Sequence, residues 1–296
     1  MQGPVFNLQT FARGLHCRIF SFEFQNQHLV LRLAHHGSHV LKEWQAHRYL
    51  GAVLPVPAVF KEGIQAQQYW AIVARCPGQA LADDAFSLAQ EVRHETIIEH
   101  LFKLHSHVLL YPFRGFGPLD WESGQGDCSW QAYLKSAFGQ SHKTLASDSL
   151  LCVSDFEAYY SRLIALLPDC PSSGWLIHGD FKAQNLIVDQ GRVTGIVDWS
   201  GLGFGDFLYD LAVYAFYLPA QQRQPFLQEA LSRYQQSGFD LRRFEQRLTA
   251  YMVHSALGVL MTLGQRQAKQ EFERIQQELV AILDTDHCFP VALNLS

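Results

Sequence analysis

The stretch Leu176–Asp210, LIHGDFKAQNLIVDQGRVTGIVDWSGLGFGDFLYD, decides how the rest of the chain is read. It follows Trp175 with an apolar lead, Leu176 and Ile177, then turns polar at His178-Gly179-Asp180, with Asn185 a short step beyond. Leu186–Val188 and Val193–Val197 are apolar runs flanking Asp189-Gln190-Gly191-Arg192, a β-hairpin signal with glycine in the turn. With Gln190 and Gly191 at the tip, Asp189 pairs with Arg192 and Asn185 falls opposite Ile196. Asp198 is then one diagonal step away, within about 7–8 Å of the Asn185 backbone. Three polar groups, Asp180, Asn185 and Asp198, are expected to converge at one mouth.

Such a group suits phosphoryl transfer, which needs Mg²⁺ bridging the phosphates and a carboxylate orienting the accepting hydroxyl. A carboxylate and an amide oxygen are hard ligands for Mg²⁺, which keeps water and substrate phosphate in its other positions. Asp180 is the base-like residue in this scheme, and Asn185 and Asp198 hold the metal. The order D-x-x-x-x-N, apolar hairpin, Asp matches the catalytic loop and metal-binding Asp of protein kinases, with HGDF in place of HRDL and IVDW in place of the DFG segment.

HGDF-x-x-x-N, IVDW and the later GDFLYDLA resemble the aminoglycoside phosphotransferase family, relatives of the protein kinases, and within it the hygromycin B phosphotransferases most. The resemblance runs from about Phe11 to Tyr217. It implies an α/β (α+β), protein-kinase-like two-lobed fold, with a small β-rich N-lobe and a larger helical C-lobe. It also implies a nucleotide-covering loop near Ala12–Cys17, a strand cation at Arg32 where the family usually has lysine, and hinge contacts to the base from the Ala74 carbonyl and the Cys76 amide. Pro77 has no N–H to offer, so Cys76 is the last donor before the chain breaks. The boundary between lobes is placed at residue 77: 1–77 the N-terminal nucleotide-binding lobe and hinge, 78–296 the C-terminal catalytic and substrate-binding lobe.

The remaining segments fit that scheme. Phe20, Phe22 and Phe24 alternate with polar residues, Gln25-Asn26-Gln27 turns the chain, and His28–Leu33 returns. On that return strand Leu29, Leu31 and Leu33 share one face and Val30 and Arg32 the other, so Arg32 points into the cleft. A helix over His39–Leu50 sets Glu43 beside the stripe of Val40, Trp44 and His47, where an acid near an inner face needs a cation; Arg32 is the candidate. Gln68–Ala74 is a strand, and Leu88–Leu110, Ser129–Ala137 and Asp155–Leu167 are helical. Phe113–Trp130 is a long loop carrying Asp120, Glu122 and Asp127, of the kind that lines a substrate mouth or equally often is plain surface. Asp206 is placed as an N-cap for a helix over Phe207–Leu218, with Asp210 one turn on, both read as buttressing the catalytic loop. Gln224–Gln236, Leu241–Leu263 and Arg266–Leu283 are further amphipathic helices.

Composition narrows the partners. Hydrophobic residues make up 48% and charged residues 17%, an ordinary globular balance, and the net charge of -5 gives no electrostatic case for nucleic acid or an anionic membrane. MQGPVFNLQTFARG lacks the basic and apolar regions of a signal peptide, and no apolar run approaches the roughly 18 residues of a span. The six cysteines are scattered without a CxxC pair and read as reduced thiols in a cytoplasmic protein. His35-His36 reads as a surface turn. The expectation is therefore an ATP- or GTP-dependent kinase, monomeric, transferring the γ-phosphate directly to a hydroxyl of a small molecule. The resemblance points to an aminocyclitol antibiotic such as hygromycin B. The alternatives are a kinase for another small alcohol, choline-like, sugar or antibiotic, and a non-catalytic nucleotide-binding pseudokinase. Lys182 is a further candidate for the γ-phosphate.

Overall fold

The structure is a computed structural model that describes residues 4–13, 17–34, 37–81, 92–109, 113–120, 123–138 and 149–284, with the backbone alone at 11–13 and 37–40. The His35-His36 turn, Gly14–His16 of the covering loop, Glu122, and 88–91 and 110 of the expected Leu88–Leu110 helix lie outside the described residues; within them that helix is shorter than expected, His94–His105. Packing divides the chain into two compact units, 1–110 with 178–202, and 111–177 with 203–296.

The first unit begins with β1 (Phe6–Arg13), β2 (Cys17–Phe24), β3 (Gln27–Ala34), α1 (Gly37–Leu50), β4 (Val59–Gln65) and β5 (Gln68–Ala74). These strands form one antiparallel sheet in the order β1-β2-β3-β5-β4. The β2–β3 and β4–β5 hairpins close through two-residue turns with positive φ at both positions, Gln25 and Asn26 at 49° and 60°, Ala66 and Gln67 at 48° and 62°. That geometry matches the right-handed twist of the strands it joins. The two faces of β3 separate as its alternation predicts. Val30 and Ala34 pack with Cys17, Ala71 and Val73, while Leu29 packs with Phe22 and Phe24. Short β6 (Gln79–Ala80) and α2 (His94–His105) follow. Strands β1 and β4 are additions to the sequence expectation.

The second unit starts with β7 (Gly117–Pro118), α3 (Trp130–Ser136), α4 (Val153–Leu166) and β8 (Trp175–Ile177). The chain then returns to the first unit for β9 (Leu186–Asp189) and β10 (Arg192–Ile196), which form a sheet with β6 in the order β10-β9-β6. It ends in the second unit with β11 (Gly203–Gly205), α5 (Leu208–Tyr217), α6 (Ala220–Gln236), α7 (Phe244–Gln265) and α8 (Lys269–Asp284). Helix α7 packs on α4, α5 and α8 and is buried nearly all round, from Leu248 through Tyr251, Met252 and Val253 to Leu257 and Leu260, as expected of a central helix. Helix α6 starts earlier than Gln224 and carries Pro225 inside it. Arg223, one turn into α6, donates to the carbonyls of Ala215, Phe216 and Leu218, satisfying the end of α5.

Candidate functional site

The β9–β10 hairpin turns at Gln190 and Gly191, both at positive φ (49° and 74°), and pairs Asp189 with Arg192 as the sequence predicts. The ladder then slips. Val193 faces Val188, but Gly195 faces Ile187 and Ile196 faces Leu186. Thr194 is the extra residue, a β-bulge, and its hydroxyl donates to the Pro77 carbonyl at 2.6 Å and the Ile187 carbonyl at 3.2 Å. The expected pairing of Asn185 with Ile196 is therefore corrected by one position. The Val197 N–H donates to the Asn185 carbonyl at 2.9 Å, so Asp198 follows immediately on the residue opposite Asn185.

Asp180, Asn185 and Asp198 meet through an interlocked pair of segments. The Asn185 Nδ2 donates to the Asp180 carbonyl at 2.8 Å and to Asp180 Oδ2 at 3.1 Å. His178, fully buried, joins the two segments: the Asp180 N–H donates to its Nδ1 at 3.3 Å, and its Nε2 lies 3.1 Å from the Val197 carbonyl. A backbone donor on one nitrogen and a carbonyl on the other assign the hydrogen to Nε2. Gly179 (φ 81°) and Gly201 touch backbone to backbone; a Cβ on Gly179 would lie 2.3 Å from the Gly201 carbonyl oxygen. Only glycine permits that approach. Asp198 itself adopts left-handed geometry, φ 60° and ψ 61°, at the start of a 3₁₀ turn over Trp199–Gly201.

Arg32 pairs with Glu43 of α1, both largely buried, which supports the expected placement of the pair on the inner face of β3 and α1. Arg32 Nη2 also approaches Cys17 Sγ at 3.9 Å. At the end of β5 the Ala74 N–H donates to the Ala58 carbonyl and the Arg75 N–H to the His28 carbonyl. Gly78, at φ 94°, lies against Val188, where a Cβ would come within 2.0 Å of the carbonyl oxygen. Gly195 meets Cys76 in the same way: a Cβ at Gly195 would lie 2.4 Å from Sγ. The bulge and Gly195 thus seat the segment 76–78 on the hairpin.

All seven sequence-chosen residues, Arg32, Glu43, Ala74, Cys76, Asp180, Asn185 and Asp198, line one cavity of about 790 Å³, within the usual range for small-molecule sites. Ile19, Val30, Val59, Val73, Ile187 and Val197 give it apolar walls, and Lys182 and Ser200 add polar groups. Burial pushes the Asp180 carboxyl above its ordinary value despite the Lys182 ammonium 2.8 Å from Oδ2. Asp198 goes the other way. Burial raises it, but the Arg32 charge and a hydrogen bond from the Ser200 side chain outweigh that and hold it below the ordinary range. One cavity thus contains a firmly ionised carboxylate and a more basic one, the contrast expected where two acids divide roles.

The donor set fits Mg²⁺. Because Nδ2 of Asn185 is committed to Asp180, Oδ1 is its remaining metal-competent atom, and Asp198 supplies an ionised carboxylate. Among the described residues no group of three or more His, Cys, Asp or Glu is arranged to cage a metal; Mg²⁺ commonly takes one or two protein ligands and completes its shell with phosphate and water.

One expectation changes. Asp206 accepts from the Leu208 N–H at 3.2 Å, as an N-terminal cap would, but its main partners are on α7. Arg247 donates to both its oxygens at 2.8 Å, and the Tyr251 hydroxyl donates at 2.5 Å. Asp206 is the centre of a buried ion pair that holds α5 to α7. In the loop Phe113–Trp130, Asp120 accepts from the Ser123 hydroxyl and N–H, shaping a local turn. His178, Thr194 and Lys42 escaped the sequence reading, because their partners lie 19, 117 and 158 residues away.

A family model for the phosphotransferase enzyme family matches residues 7–246. The chain is 26% identical over 222 residues to the hygromycin-B 4-O-kinase of Escherichia coli, a match covering 73% of this chain and 63% of that protein, less than two thirds of its length. A 57-residue stretch, 19% of the chain and 21% of the relative, is 39% identical to an aminoglycoside 3'-phosphotransferase of Escherichia coli. Among solved structures, a thermostable mutant of aminoglycoside phosphotransferase APH(4)-Ia in ternary complex with AMP-PNP and hygromycin B superposes with a TM-score of 0.79 at 25% identity, covering 95% of this chain and 94% of that one. The GDP complex of an aminoglycoside 2'-phosphotransferase-IIIa mutant shares the fold, with a TM-score of 0.66 at 14% identity over 95% and 94% of the two chains. The likeness bears out the α/β kinase-like fold, an antiparallel sheet in the N-lobe and a helical C-lobe.

Proposed function

The chain belongs to the phosphotransferase enzyme family, and from that premise we propose that it moves the γ-phosphate of ATP or GTP to a hydroxyl of an aminocyclitol antibiotic resembling hygromycin B. One observation carries the proposal: Asp180, Asn185 and Asp198 share a single cavity with the Arg32–Glu43 pair and the hinge residues Ala74 and Cys76. The similarity to a hygromycin-B 4-O-kinase supports the acceptor class.

In this mechanism the nucleotide base lies against the apolar walls and meets the Ala74 carbonyl and the Cys76 N–H. Arg32, held by Glu43, neutralises phosphate charge; its planar fork replaces the point charge of a lysine. Asn185 and Asp198 would hold Mg²⁺, which when bound neutralises the charge that develops on the phosphates. Asp180 accepts a hydrogen bond from the acceptor hydroxyl and takes its proton as the phosphoryl group arrives. Burial makes Asp180 a better proton acceptor than a solvated carboxylate. Lys182, paired with Asp180, fixes that carboxylate and places a positive charge where the γ-phosphate reacts. No phospho-enzyme is needed, since in-line transfer uses only these parts. Residue 77 remains the proposed boundary between the nucleotide lobe and hinge, 1–77, and the catalytic and substrate-binding lobe, 78–296, and the protein is proposed to act as a cytoplasmic monomer.

The test is a coupled turnover assay with Mg²⁺, ATP and GTP, across hygromycin B, other aminoglycosides, macrolides and choline, beside Asp180→Ala. Turnover stimulated by hygromycin B and lost by about 10²-fold or more in the variant is the expected result. Stimulation by another compound alone replaces the acceptor. Full activity in Asp180→Ala refutes the catalytic assignment, and a chain that binds nucleotide without any turnover is a pseudokinase.

A further inference from the structure

The 3₁₀ turn Trp199–Gly201 is held at Ser200, whose carbonyl accepts from Nζ of Lys42 at 2.7 Å. Against the effect of burial, the Arg32 charge and the Ser200 side chain, which stands beside the Asp198 carboxylate, hold that carboxyl below its ordinary range. Lys42 precedes Glu43, the partner of Arg32, on α1. Adjacent residues of this helix therefore reach to different parts of the cavity, Glu43 to the strand cation and Lys42 to the turn that carries Asp198. The rest of the turn is anchored by Trp199, 1% exposed, whose Nε1 donates to the Ile196 carbonyl at 2.9 Å and whose ring packs on His178 at 4.5 Å. Asp198 enters this turn in left-handed geometry, which an aspartate can adopt but keeps in one orientation only when its surroundings hold it.

We propose that Lys42 is a positioning residue for the Asp198 carboxylate. By fixing the Ser200 backbone it fixes the Ser200 hydroxyl, and through that hydroxyl the direction of the carboxylate. It thereby ties Asp198 to the helix that also sets Arg32, so the metal ligand and the phosphate cation move as one frame. A lysine on a terminal carbonyl is ordinary helix chemistry. The difference here is that the same residue grips Asp198, so loss of Lys42 releases the carboxylate while α1 keeps its own anchors in Glu43, Ala46 and Leu50, all buried. The proposal rests on the phosphotransferase function above.

The experiment measures binding of a fluorescent ATP analogue to the full chain, with Mg²⁺ and with EDTA, for wild type, Lys42→Met, Lys42→Arg, Ser200→Ala and the Lys42→Met/Ser200→Ala double variant. Losing a charged hydrogen bond that aims a metal ligand predicts that Lys42→Met weakens the Mg²⁺-dependent affinity about tenfold. Binding in EDTA and the far-UV circular dichroism should match wild type, and Lys42→Arg should recover most of the loss. In the Ser200→Ala background, where the hydroxyl relay is gone, Lys42→Met should add less than about twofold, the non-additivity of a shared path. Equal weakening with and without Mg²⁺, costs that simply add in the double variant, or no effect of Lys42→Met overturns the proposal. A wild-type chain without Mg²⁺-dependent nucleotide binding instead overturns the phosphotransferase function itself, a result distinct from a wild type that binds and a Lys42→Met that equals it.

Discussion

Replacing Asp206 by alanine strands a buried arginine. Arg247 is 2% exposed and directs Nε and Nη2 at the two oxygens of Asp206, itself fully buried, at 2.8 Å each. The Tyr251 hydroxyl adds a third bond to Asp206 at 2.5 Å. Removing one partner of such a pair costs about 3–5 kcal/mol, because the surviving charge stays in a poorly solvating interior. Two features moderate the loss. Nη1 keeps the Asp240 and Arg242 carbonyls at 2.7 and 3.0 Å, and the guanidinium keeps the Phe207 ring at 5.5 Å. The expected destabilisation of Asp206→Ala is therefore near the lower bound, about 3 kcal/mol. Urea unfolding followed by tryptophan fluorescence reads it, since Trp130 packs on Tyr251 at 6.1 Å. The control is Asp206→Leu with Arg247→Met, which removes both charges together; exchanging a buried pair for apolar groups is often neutral, so this variant should be more stable than Asp206→Ala. An Asp206→Ala loss below about 1 kcal/mol, or a double variant no better than the single one, would refute the assignment of Asp206 as half of a structural ion pair.

Gly195→Ala should push Cys76 off the hairpin, because the new methyl would sit 2.4 Å from Sγ and 3.0 Å from Cβ of Cys76. Overpacking of this kind costs about 1–3 kcal/mol. The hinge N–H shifts with it, so nucleotide affinity should fall and Cys76→Gly in the same chain should restore part of it; unchanged affinity in Gly195→Ala would detach the hairpin from the hinge. His254 is buried, with the Tyr209 hydroxyl 3.0 Å from Nδ1, and burial pulls its pKa down from 6.5 to about 3. Its folded-state value lies below the unfolded one, so the unfolded chain binds the extra proton. The stability it contributes is full above pH 6.5 and is lost as pH falls towards 3. Urea midpoints measured over that window should fall less steeply in His254→Phe than in wild type, and parallel profiles would count against a buried neutral imidazole.

What could be read locally in the sequence was what depends on neighbours along the chain. The glycine turn at Gln190-Gly191 and the spacing from Asp180 to Asn185 placed the polar cluster, and helical spacing placed Glu43 near Arg32. The one-residue slip in the hairpin could not be read, because Thr194 is drawn out of the ladder by a carbonyl at Pro77, 117 residues away in sequence. Asp206 looked like a helix cap because Leu208 is close by; its stronger partner, Arg247, is 41 residues distant. Strands β1 and β4 were hidden for another reason. They are edge strands, with Phe6, Leu8, Phe60 and Ile64 exposed, and so lack the alternation of buried and solvated positions that marks β3.

The left-handed backbone at Asp198 narrows what this position can become. A side chain there must tolerate positive φ, which glycine and asparagine do readily and branched residues do not. It must also present a negative oxygen to the cavity, which neither glycine nor asparagine can. The two demands overlap in aspartate alone, since glutamate meets the charge but lacks the short side chain that eases this backbone. Mutational drift at this position therefore has folded exits through asparagine and glycine, but each leaves the cavity without its ionised carboxylate. A lineage that abandons the chemistry can keep the architecture by a single nucleotide change from the aspartate codon, whereas a return through any other folded residue requires the same aspartate again.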